Sequence, residues 1–238
     1  MHNNYYIYGI HAVTSALLNE KRNILNIFIA NEDILNDKLF DIIKKRNLQI
    51  KYVSKPELSR IVNSDFHQGI AILTNSIAIE FDKNIIKDMN RIVILDQISD
   101  ANNLGAILRS SAFFGIDCII LPKDNSVRES ATVAKVASGG LEVNNIVYVT
   151  NINKIINELK KLKFWIVGLD ERGENFDSNF FIDTKVAIIF GAEGKGIRPL
   201  VLNNCDKTFA IKNLNKQKHI VSSLNVATTA AIVFALIS

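Results

Sequence analysis

The sequence predicts an α/β protein of two parts, a small N-terminal α/β unit and a larger unit built around a parallel β-sheet. Its 238 residues are enough for one small and one medium-sized domain. Hydrophobic residues make up 48% of the chain, so a sizeable core can be buried. Short apolar runs alternate with stretches of helical periodicity, and in the second part these runs are almost uninterrupted. Strands of that kind are typical of parallel sheets whose two faces are covered by helices.

The first unit is expected to span residues 1–77 as a series of short helices and strands. Helices are predicted at 11–21 and 33–47, with strands at 24–30, 50–54 and 69–74. Pro56 is placed to begin a further helix, because an N–H in the first turn would lack a partner anyway, and Ser54 precedes it as a cap. Residues 78–90 lose periodicity and are predicted to be a linker with room for one short helix.

The second unit is expected to span residues 91–238. Its predicted strands lie at 91–96, 118–122, 146–150, 164–170, 186–190 and 208–212, with helical stretches between most of them. In sheets of this kind, ligands bind where loops leave the carboxyl ends of the strands. Three such loops carry unusual polar residues in this chain.

The first loop, 96-DQISDANNLGAILRSSAFFGID-117, enters an amphipathic helix for which Gly115 is a typical stop. Asn102 or Asn103 is expected to cap the first turn, whose N–H groups lack partners. Arg109 lies off the apolar face, on the same side of the helix as Asn102. The pattern fits either a capped helix with a solvated arginine or an Asn–Arg pair directed at a ligand.

The second loop, 187-AIIFGAEGKGI-197, runs from a buried strand into a glycine-rich turn with one carboxylate. Its spacing matches neither the GxxxxGK[ST] phosphate loop nor the GxGxxG dinucleotide fingerprint. Glu193 at its centre would repel a phosphate. The turn therefore favours a cationic or zwitterionic ligand or a substrate hydroxyl, or else it is only a tight turn before a helix at 197–204.

The third loop, 222-SSLNVATTAAIVFAL-236, begins the C-terminal helix. Ser222 or Ser223 is placed to cap that helix. Asn225, in the first turn, can either close the cap or offer its amide to a ligand, and free N–H groups at a helix start also suit a carboxylate.

Charge and cysteine content narrow the functional class only slightly. The formal net charge of +4 permits a nucleic-acid partner but is shared by many unrelated enzymes. Cys118 and Cys205 lie far apart in or beside apolar stretches, which favours core packing in a reducing compartment over a disulfide. No secretory leader is evident, and the apolar tail 224–238 is short for a membrane span, so we expect a cytoplasmic protein without a membrane partner.

The histidines and most basic residues can be explained by structural roles or by exposure to solvent. His2, His11, His67 and His219 show no metal-ligand spacing, so no metal is expected. His11 and His67 are interpreted as structural, with a substrate role for His11 left open. The basic groups fit either a solvated surface or contacts to RNA phosphates; they are 44-KKR-46, Lys51, Lys55, Lys195 and Arg198.

Taken together, the three loops resemble the three signature motifs of the SpoU family of ribose 2′-O-methyltransferases, within the SPOUT superfamily. The resembling segments, in the same order, are NLGAILR at 103–109, FGAEGKG at 190–196 and SLNVA at 223–227. Similarity also covers 132-TVAKVASGGLE-142, 147-VYVTN-151, 165-WIVGLDERG-173, 8-YGIHAVTSAL-17 and 67-HQGIAI-72. It thus extends over nearly the whole chain. It points to the branch with an N-terminal ribosomal-protein-like RNA-binding domain, typified by the guanosine methylase of large-subunit ribosomal RNA.

The resemblance implies S-adenosylmethionine as methyl donor and a ribose 2′-hydroxyl of ribosomal RNA as acceptor. It also implies a trefoil knot in the C-terminal domain and a homodimer. A transfer-RNA methylase and an RNA-binding relative without catalysis stay open as alternatives. The positions that match the family's catalytic residues are Asn103, Arg109, Glu193, Ser223 and Asn225. Those that match its cofactor contacts are Gly168, Leu169, Gly191, Ile211 and Leu224.

Two segments depart from the family pattern. Asp100-Ala101 stands where the family has Asp-Pro, which leaves Asn103 and Arg109 in place. The segment 211-IKNLNKQKHIVS-222 lacks the family's Pro and Gly, which alters the backbone that would cradle the cofactor. Because a guanidinium stays protonated, Arg109 is interpreted as a phosphate anchor and alkoxide stabiliser and not as a general base.

Overall fold

The computed structural model describes residues 4–215, 220 and 223–238. By its internal contacts the chain divides into two compact units. One comprises Met1–Ile77 with Arg128–Val143, and the other comprises Ala78–Val127 with Asn144–Ser238. Nothing in the helical pattern of 128–143 indicates that this segment belongs with the first unit, so sequence reasoning missed it.

Helices and strands alternate along most of the chain. Up to residue 77 they are β1 (Tyr5–Tyr8), α1 (Ile10–Leu18), β2 (Ile24–Ile29), α2 (Asp37–Lys45), β3 (Ile50–Tyr52), α3 (Lys55–Val62) and β4 (Ile70–Thr74). Next come α4 (Lys83–Ile86), β5 (Arg91–Asp96), α5 (Ala101–Phe113), β6 (Cys118–Pro122), α6 (Ala131–Ala137), α7 (Gly140–Val143), β7 (Asn145–Val149) and α8 (Ile152–Lys161). The chain ends with β8 (Trp165–Asn175), β9 (Val186–Gly191), α9 (Pro199–Leu202), β10 (Lys207–Ala210) and α10 (Val226–Ile237).

The first unit is built on a four-stranded sheet in the order β1-β4-β2-β3. Strand β4 runs antiparallel to β1 and β2, and β3 runs parallel to β2. The predicted start of α3, with Ser54 as the cap and Pro56 in the first turn, is confirmed. The Ser54 hydroxyl accepts from the Glu57 N–H. The single helix expected over 33–47 is wrong at its start. There Asn36 caps α2 by accepting from the Leu39 N–H, and a 3-10 turn, Glu32–Ile34, precedes it.

A buried ionic network joins the two segments of the first unit. The Arg22 side chain is fully buried, and its Nε donates to Glu142 Oε2 over 2.7 Å. Its Nη1 donates to the Tyr5 hydroxyl, which in turn donates to Glu129. Burial lowers the pKa of Arg22, but the bond to Glu142 and the surrounding negative charges raise it by more, so the guanidinium stays charged. Residues 128–143 are therefore held to β1 and to the loop after α1 by charges that are almost fully buried.

The second unit contains a six-stranded sheet in the order β10-β8-β9-β5-β6-β7, and every neighbouring pair is parallel. The predicted parallel sheet is thus confirmed. From β5 the chain proceeds outward to β6 and β7, whereas β9 lies on the other side of β5. The order of strands therefore reverses at β5, and Asp96 and Gly191 end their strands side by side there.

The core of this unit is aliphatic, and both cysteines belong to it. Cys118 is fully buried on β6, and burial, together with the charge of Asp117, raises the pKa of its thiol to about 12. Burial also raises the pKa of Cys205 to about 12. Both sulfurs are free thiols, so the prediction of core packing without a disulfide is confirmed. The predicted linker contributes to the same core, because Ile86 of α4 is 1% exposed within it.

None of the helices in the described part of the chain has the length and apolar character that a bilayer crossing requires.

Candidate functional site

The candidate site lies at the reversal point of the parallel sheet. Strands β5 and β9 are neighbours, with Asp96 opposite Gly191 at their carboxyl ends. The loop after β5 leads into α5, and the turn after β9 carries Glu193. Such reversal points leave a crevice because the two connections depart in opposite directions. Two of the three polar loops predicted from the sequence thus begin at adjacent strand ends.

Asp100 starts α5, so the Asn103 side chain is not needed as the cap of the helix. One carboxylate oxygen, Oδ1, accepts from the N–H groups of Asn102 and Asn103 over 2.6 and 3.0 Å. These backbone bonds lower the pKa of Asp100. The prediction that Asn102 or Asn103 caps the helix is therefore wrong, since a carboxylate directly before the first turn competes better for those donors. The Asn103 amide is available for other contacts as a result.

The turn after β9 depends on glycine because the chain folds back directly onto the strand end. A Cβ on Gly191 would lie 2.1 Å from the carbonyl carbon of Gly196. The turn is closed by a hydrogen bond from the Gly196 N–H to the Ala192 carbonyl over 2.8 Å, with Gly194 at φ +74°. Glu193 occupies the tip of this turn and is exposed.

Asn225 connects the three loops. Its Oδ1 accepts from the N–H groups of Ala227 and Thr228, which makes it the N-cap of α10. Its Nδ2 donates to Asn103 Oδ1 over 2.9 Å and also to Glu193 Oε1. One amide thereby orients a carboxylate and a second amide from distant parts of the chain. Of the two expected cap positions, Ser222 lies outside the described residues, and Ser223 is exposed and does not cap α10.

Arg109 and Ser223 are not joined to this cluster by side-chain contacts. Arg109 is exposed on α5, two helical turns beyond Asn102. Across residues 4–215, 220 and 223–238, no hydrogen bond or ion pair engages the side chain of Arg109 or Ser223. The structure thus brings Asn103, Glu193 and Asn225 together and leaves the Arg109 guanidinium exposed to solvent on the same unit.

The five predicted cofactor positions lie along β8, β9, β10 and the start of α10. Gly191 ends β9, Ile211 directly follows β10, and Leu224 precedes Asn225 and is 47% exposed. Gly168 lies inside β8, where an added Cβ would approach Cys205, Leu202 and Ile197. Leu169 follows it and is partly exposed. A side chain at Gly168 would therefore press against its neighbours, whether or not the Gly168 backbone also meets a ligand.

Sequence reasoning missed the contact that fastens the glycine turn to β5. The Asp96 side chain is fully buried and accepts from the Arg198 N–H over 3.0 Å. The Arg198 guanidinium meets the same carboxylate through Nη2 at 2.7 Å and Nε at 2.9 Å. From the sequence, Arg198 fits either a solvated surface or an RNA phosphate, but in the structure its guanidinium binds Asp96. A charged residue directly after an apolar strand was the available signal.

The fold and this cluster define an α/β protein with a candidate ligand site at the carboxyl edge of a parallel sheet. Family comparison identifies it further. Residues 90–235 match the SpoU rRNA Methylase family, and residues 6–78 match a family described as RNA 2'-O ribose methyltransferase substrate binding. The chain therefore belongs to the SpoU rRNA methylase family.

Individual relatives are similar over almost their whole length. The chain is 32% identical over 234 residues to the 23S rRNA (guanosine-2'-O-)-methyltransferase RlmB of Haemophilus ducreyi, covering 95% of this chain and 94% of that one. It is also 32% identical to a protein of Staphylococcus epidermidis that is provisionally named a TrmH family tRNA/rRNA methyltransferase, covering 95% and 92% of the two chains. The crystal structure of the SpoU methyltransferase AviRb from Streptomyces viridochromogenes, in complex with AdoMet, superposes with a TM-score of 0.81 at 17% identity. That match covers 98% of this chain and 89% of AviRb and shows a shared fold.

Proposed function

We propose that this protein transfers a methyl group from S-adenosylmethionine to a ribose 2′-hydroxyl of a guanosine in large-subunit ribosomal RNA. Family membership and similarity to the Haemophilus ducreyi enzyme support this assignment. The observation that carries it is the Asn225 amide, which links Asn103 and Glu193 at the reversal point of the sheet. Each of these three residues belongs to a different one of the three motifs that resemble the family signature.

The chemistry of the cluster fits this cofactor. Its groups are two amides and a carboxylate, which suit a cation and hydroxyl groups and oppose a phosphate. An added Cβ at Gly194 or Gly196 would meet no atom within 4 Å, so the turn exposes bare backbone to an approaching ligand. The residues proposed to hold the cofactor are Gly191, Ile211 and Leu224, with Gly168 and Leu169 beside them. When bound, S-adenosylmethionine supplies a methyl group on a positively charged sulfonium.

Glu193 and Asn225 are proposed to orient the ribose. Asn225 is fixed at both ends of its amide, by its cap to α10 and by its bonds to Asn103 and Glu193. This leaves Glu193 Oε2 to accept a hydrogen bond from the 2′-hydroxyl. A methyl transfer of this kind gains most of its rate from positioning two reactants, so a preformed cluster is suited to it. Ser223 is proposed to assist in orienting the hydroxyl.

Arg109 is proposed to bind the phosphate next to the target ribose and to stabilise the developing alkoxide. A guanidinium forms paired hydrogen bonds to phosphate and is not deprotonated in proteins. Its exposure leaves it accessible to RNA. Single-turnover methyl transfer by Arg109→Lys tests the role of the fork. We expect a clear loss of rate, and a rate equal to wild type would show that the planar fork is unnecessary.

The remaining assignments concern the organisation of the protein. We propose that residues 1–77 form a ribosomal-protein-like RNA-binding domain and that residues 91–238 form the methyltransferase domain with a trefoil knot. Residues 78–90 are proposed to be the linker between these two domains. The family match over 6–78 supports the first part. The family match over 90–235 supports the methyltransferase domain. The site of action is proposed to be the cytoplasm, where ribosomal RNA is modified.

A homodimer is proposed to form through helices α5 and α10. These helices pack against each other, yet Phe113 on α5 is 83% exposed and Leu236 on α10 is 48% exposed. Large apolar side chains left exposed on a helix pair are typical of an interface. The mass of the protein in solution should correspond to two chains, and Phe113→Asp should shift it toward one.

The decisive experiment is to map ribose methylation in ribosomal RNA from cells that lack this protein. We expect one 2′-O-methyl mark to disappear, to return with the wild-type protein and to stay absent with Arg109→Ala. Loss of a mark in transfer RNA instead would favour the second candidate, which the similarity to the Staphylococcus epidermidis protein keeps open. Calorimetry with S-adenosylmethionine completes the test, because failure to bind would favour an RNA-binding relative without catalysis.

A further inference from the structure

An exposed aromatic ring lies on a loop of the first unit and takes no part in the methyl-transfer cluster. Phe66 is 75% exposed in the loop between α3 and β4. A ring that stays in water contributes little burial free energy to the fold. The neighbouring residue, His67, is by contrast only 4% exposed.

The loop is held rigid by hydrogen bonds on both sides of Phe66. His67 Nδ1 accepts from the Gly69 N–H over 2.9 Å, and its Nε2 lies 3.1 Å from the Ser59 hydroxyl. Since Nδ1 acts as an acceptor, the proton of the neutral ring is on Nε2 and donates to Ser59. The Phe66 N–H donates to the Ser64 hydroxyl over 3.2 Å. These bonds constrain the backbone around Phe66, while its ring stays out of the core.

A further contact ties the loop to α1. Gln68 takes a positive φ of 56°, and its Oε1 accepts from the Ile10 N–H at the start of α1 over 2.9 Å. Gly9, beside it, has a φ of 90° that a side chain would oppose. The two segments that resemble the family's N-terminal half, 8–17 and 67–72, are therefore in contact through this loop.

The second segment of the first unit supplies a cation to the same ring. The ammonium of Lys135 on α6 lies 5.4 Å from the centroid of Phe66. The ammonium covers one face of the ring. Because three-quarters of Phe66 stays exposed, the other face is open to a ligand. An exposed aromatic face next to a positive charge complements an unpaired nucleotide, which presents a flat base and an adjoining phosphate.

We propose that Phe66 and Lys135 form a stacking site for an unpaired base of the RNA substrate. Phe66 stacks on the base and Lys135 contacts the flanking phosphate. Duplex RNA does not offer a free base face, so the site selects single-stranded or looped RNA. The proposal rests on the assignment of the protein as an RNA methyltransferase, and it adds the residues with which the first unit recognises unpaired RNA.

Binding of an unstructured oligoribonucleotide to full-length protein tests this site. We expect Phe66→Ala to weaken binding about tenfold or more, the effect typical of losing one stacked base. Phe66→Tyr should bind like wild type. Phe40→Ala is a matched control, because Phe40 is 48% exposed on α2 of the same unit and should not matter. Binding of S-adenosylmethionine should be unchanged in every variant.

Two further measurements separate stacking from general electrostatic attraction. Lys135→Ala should lower the slope of log affinity against log salt by about one, as expected for one lost phosphate contact. The only tryptophan is Trp165, so Phe66→Trp in a Trp165→Phe background gives a single reporter. Its fluorescence should be quenched by the oligoribonucleotide, and a reporter at position 40 should not respond.

The possible outcomes are distinct. If Phe66→Ala binds the oligoribonucleotide within twofold of wild type, the stacking site is wrong even though the methyltransferase assignment stands. Equal weakening for a duplex of the same sequence would also overturn it, because that result indicates a backbone contact. If the wild-type protein binds no RNA at all, both the site and the proposed function fail.

Discussion

Two networks of polar side chains connect distant parts of the chain, and they differ in their access to water. In the first unit, Arg22 joins Glu142 and Tyr5 with no exposure of its own side chain. In the second unit, Asn225 joins Asn103 and Glu193 in an exposed cluster. A buried charge without its partner is strongly unfavourable, so the first network holds the fold together. Exposed groups that are held in place by one another retain atoms for a ligand, so the second suits a binding site.

The largest expected effect comes from breaking the buried network. Arg22→Met leaves Glu142 and Glu129 buried without their cation, which should lower the free energy of unfolding by about 3–5 kcal/mol. Urea denaturation followed by circular dichroism measures this. Lys45→Ala is the matched control, because its pair with Glu20 is 80% and 83% exposed and should contribute nothing measurable. Equal midpoints for wild type and Arg22→Met would contradict the comparison.

Breaking the exposed network should affect chemistry and not folding. Asn225→Asp retains an oxygen to cap α10 but replaces the donor to Glu193 with a like charge. We expect single-turnover methyl transfer to fall about 100-fold or more, a loss comparable to removing one preorganised donor. The thermal midpoint should stay close to wild type. A stable variant with full activity would show that the Asn225 amide does not organise the site.

In the glycine turn, backbone packing and ligand access depend on the same residues, so a substitution there should change both stability and cofactor affinity. Gly191→Ala would place a methyl group against the Gly196 backbone, so something must shift. Overpacking of this kind should lower the free energy of unfolding by about 1–3 kcal/mol, with a marked loss of S-adenosylmethionine affinity. Gly194→Ala is the control, since open space surrounds its added Cβ and only its positive φ opposes the change. Calorimetry and denaturation should show larger losses of S-adenosylmethionine affinity and of stability for Gly191→Ala than for Gly194→Ala.

The smallest effect concerns the start of α5. Hydrogen bonds from the Asn103 and Asn102 N–H groups lower the pKa of Asp100 below its ordinary 3.8. Because the pKa of Asp100 is lower in the folded state, the ionised carboxylate stabilises the fold at pH values above 3.8. This stabilisation is lost as the pH falls through the lowered pKa of the folded state. Asp100→Asn should therefore be slightly less stable than wild type at pH 7. The difference in thermal midpoint should shrink as the pH falls below 3.8 and Asp100 becomes protonated. A difference that persists unchanged in acid would point to a cause other than the charge.

Sequence reasoning reached the sheet and the polar loops because both depend on local patterns. Apolar runs separated by helical periodicity predicted the strands of the second unit, and these are confirmed. The helix caps were harder. Asn102 and Asn103 have the right residue type, but Asp100 lies closer to the free N–H groups and binds them instead. The break at Asn36 has the same origin, since a side chain that caps one helix interrupts a periodicity that otherwise continues.

The local pattern of the amino acids established the α/β class, the parallel sheet and the identity of Asn103, Glu193 and Asn225 as candidates. Periodicity and turn chemistry act over a few residues, so they can be read from a single chain. The contacts between groups that are distant in sequence were decided only by the tertiary structure. The placement of 128–143 in the first unit, the Asp96–Arg198 pair and the Lys135 ammonium over Phe66 all join segments far apart in sequence. Such pairings are selected by the packing of the whole unit, because each contact exists only once the elements that carry it have come together.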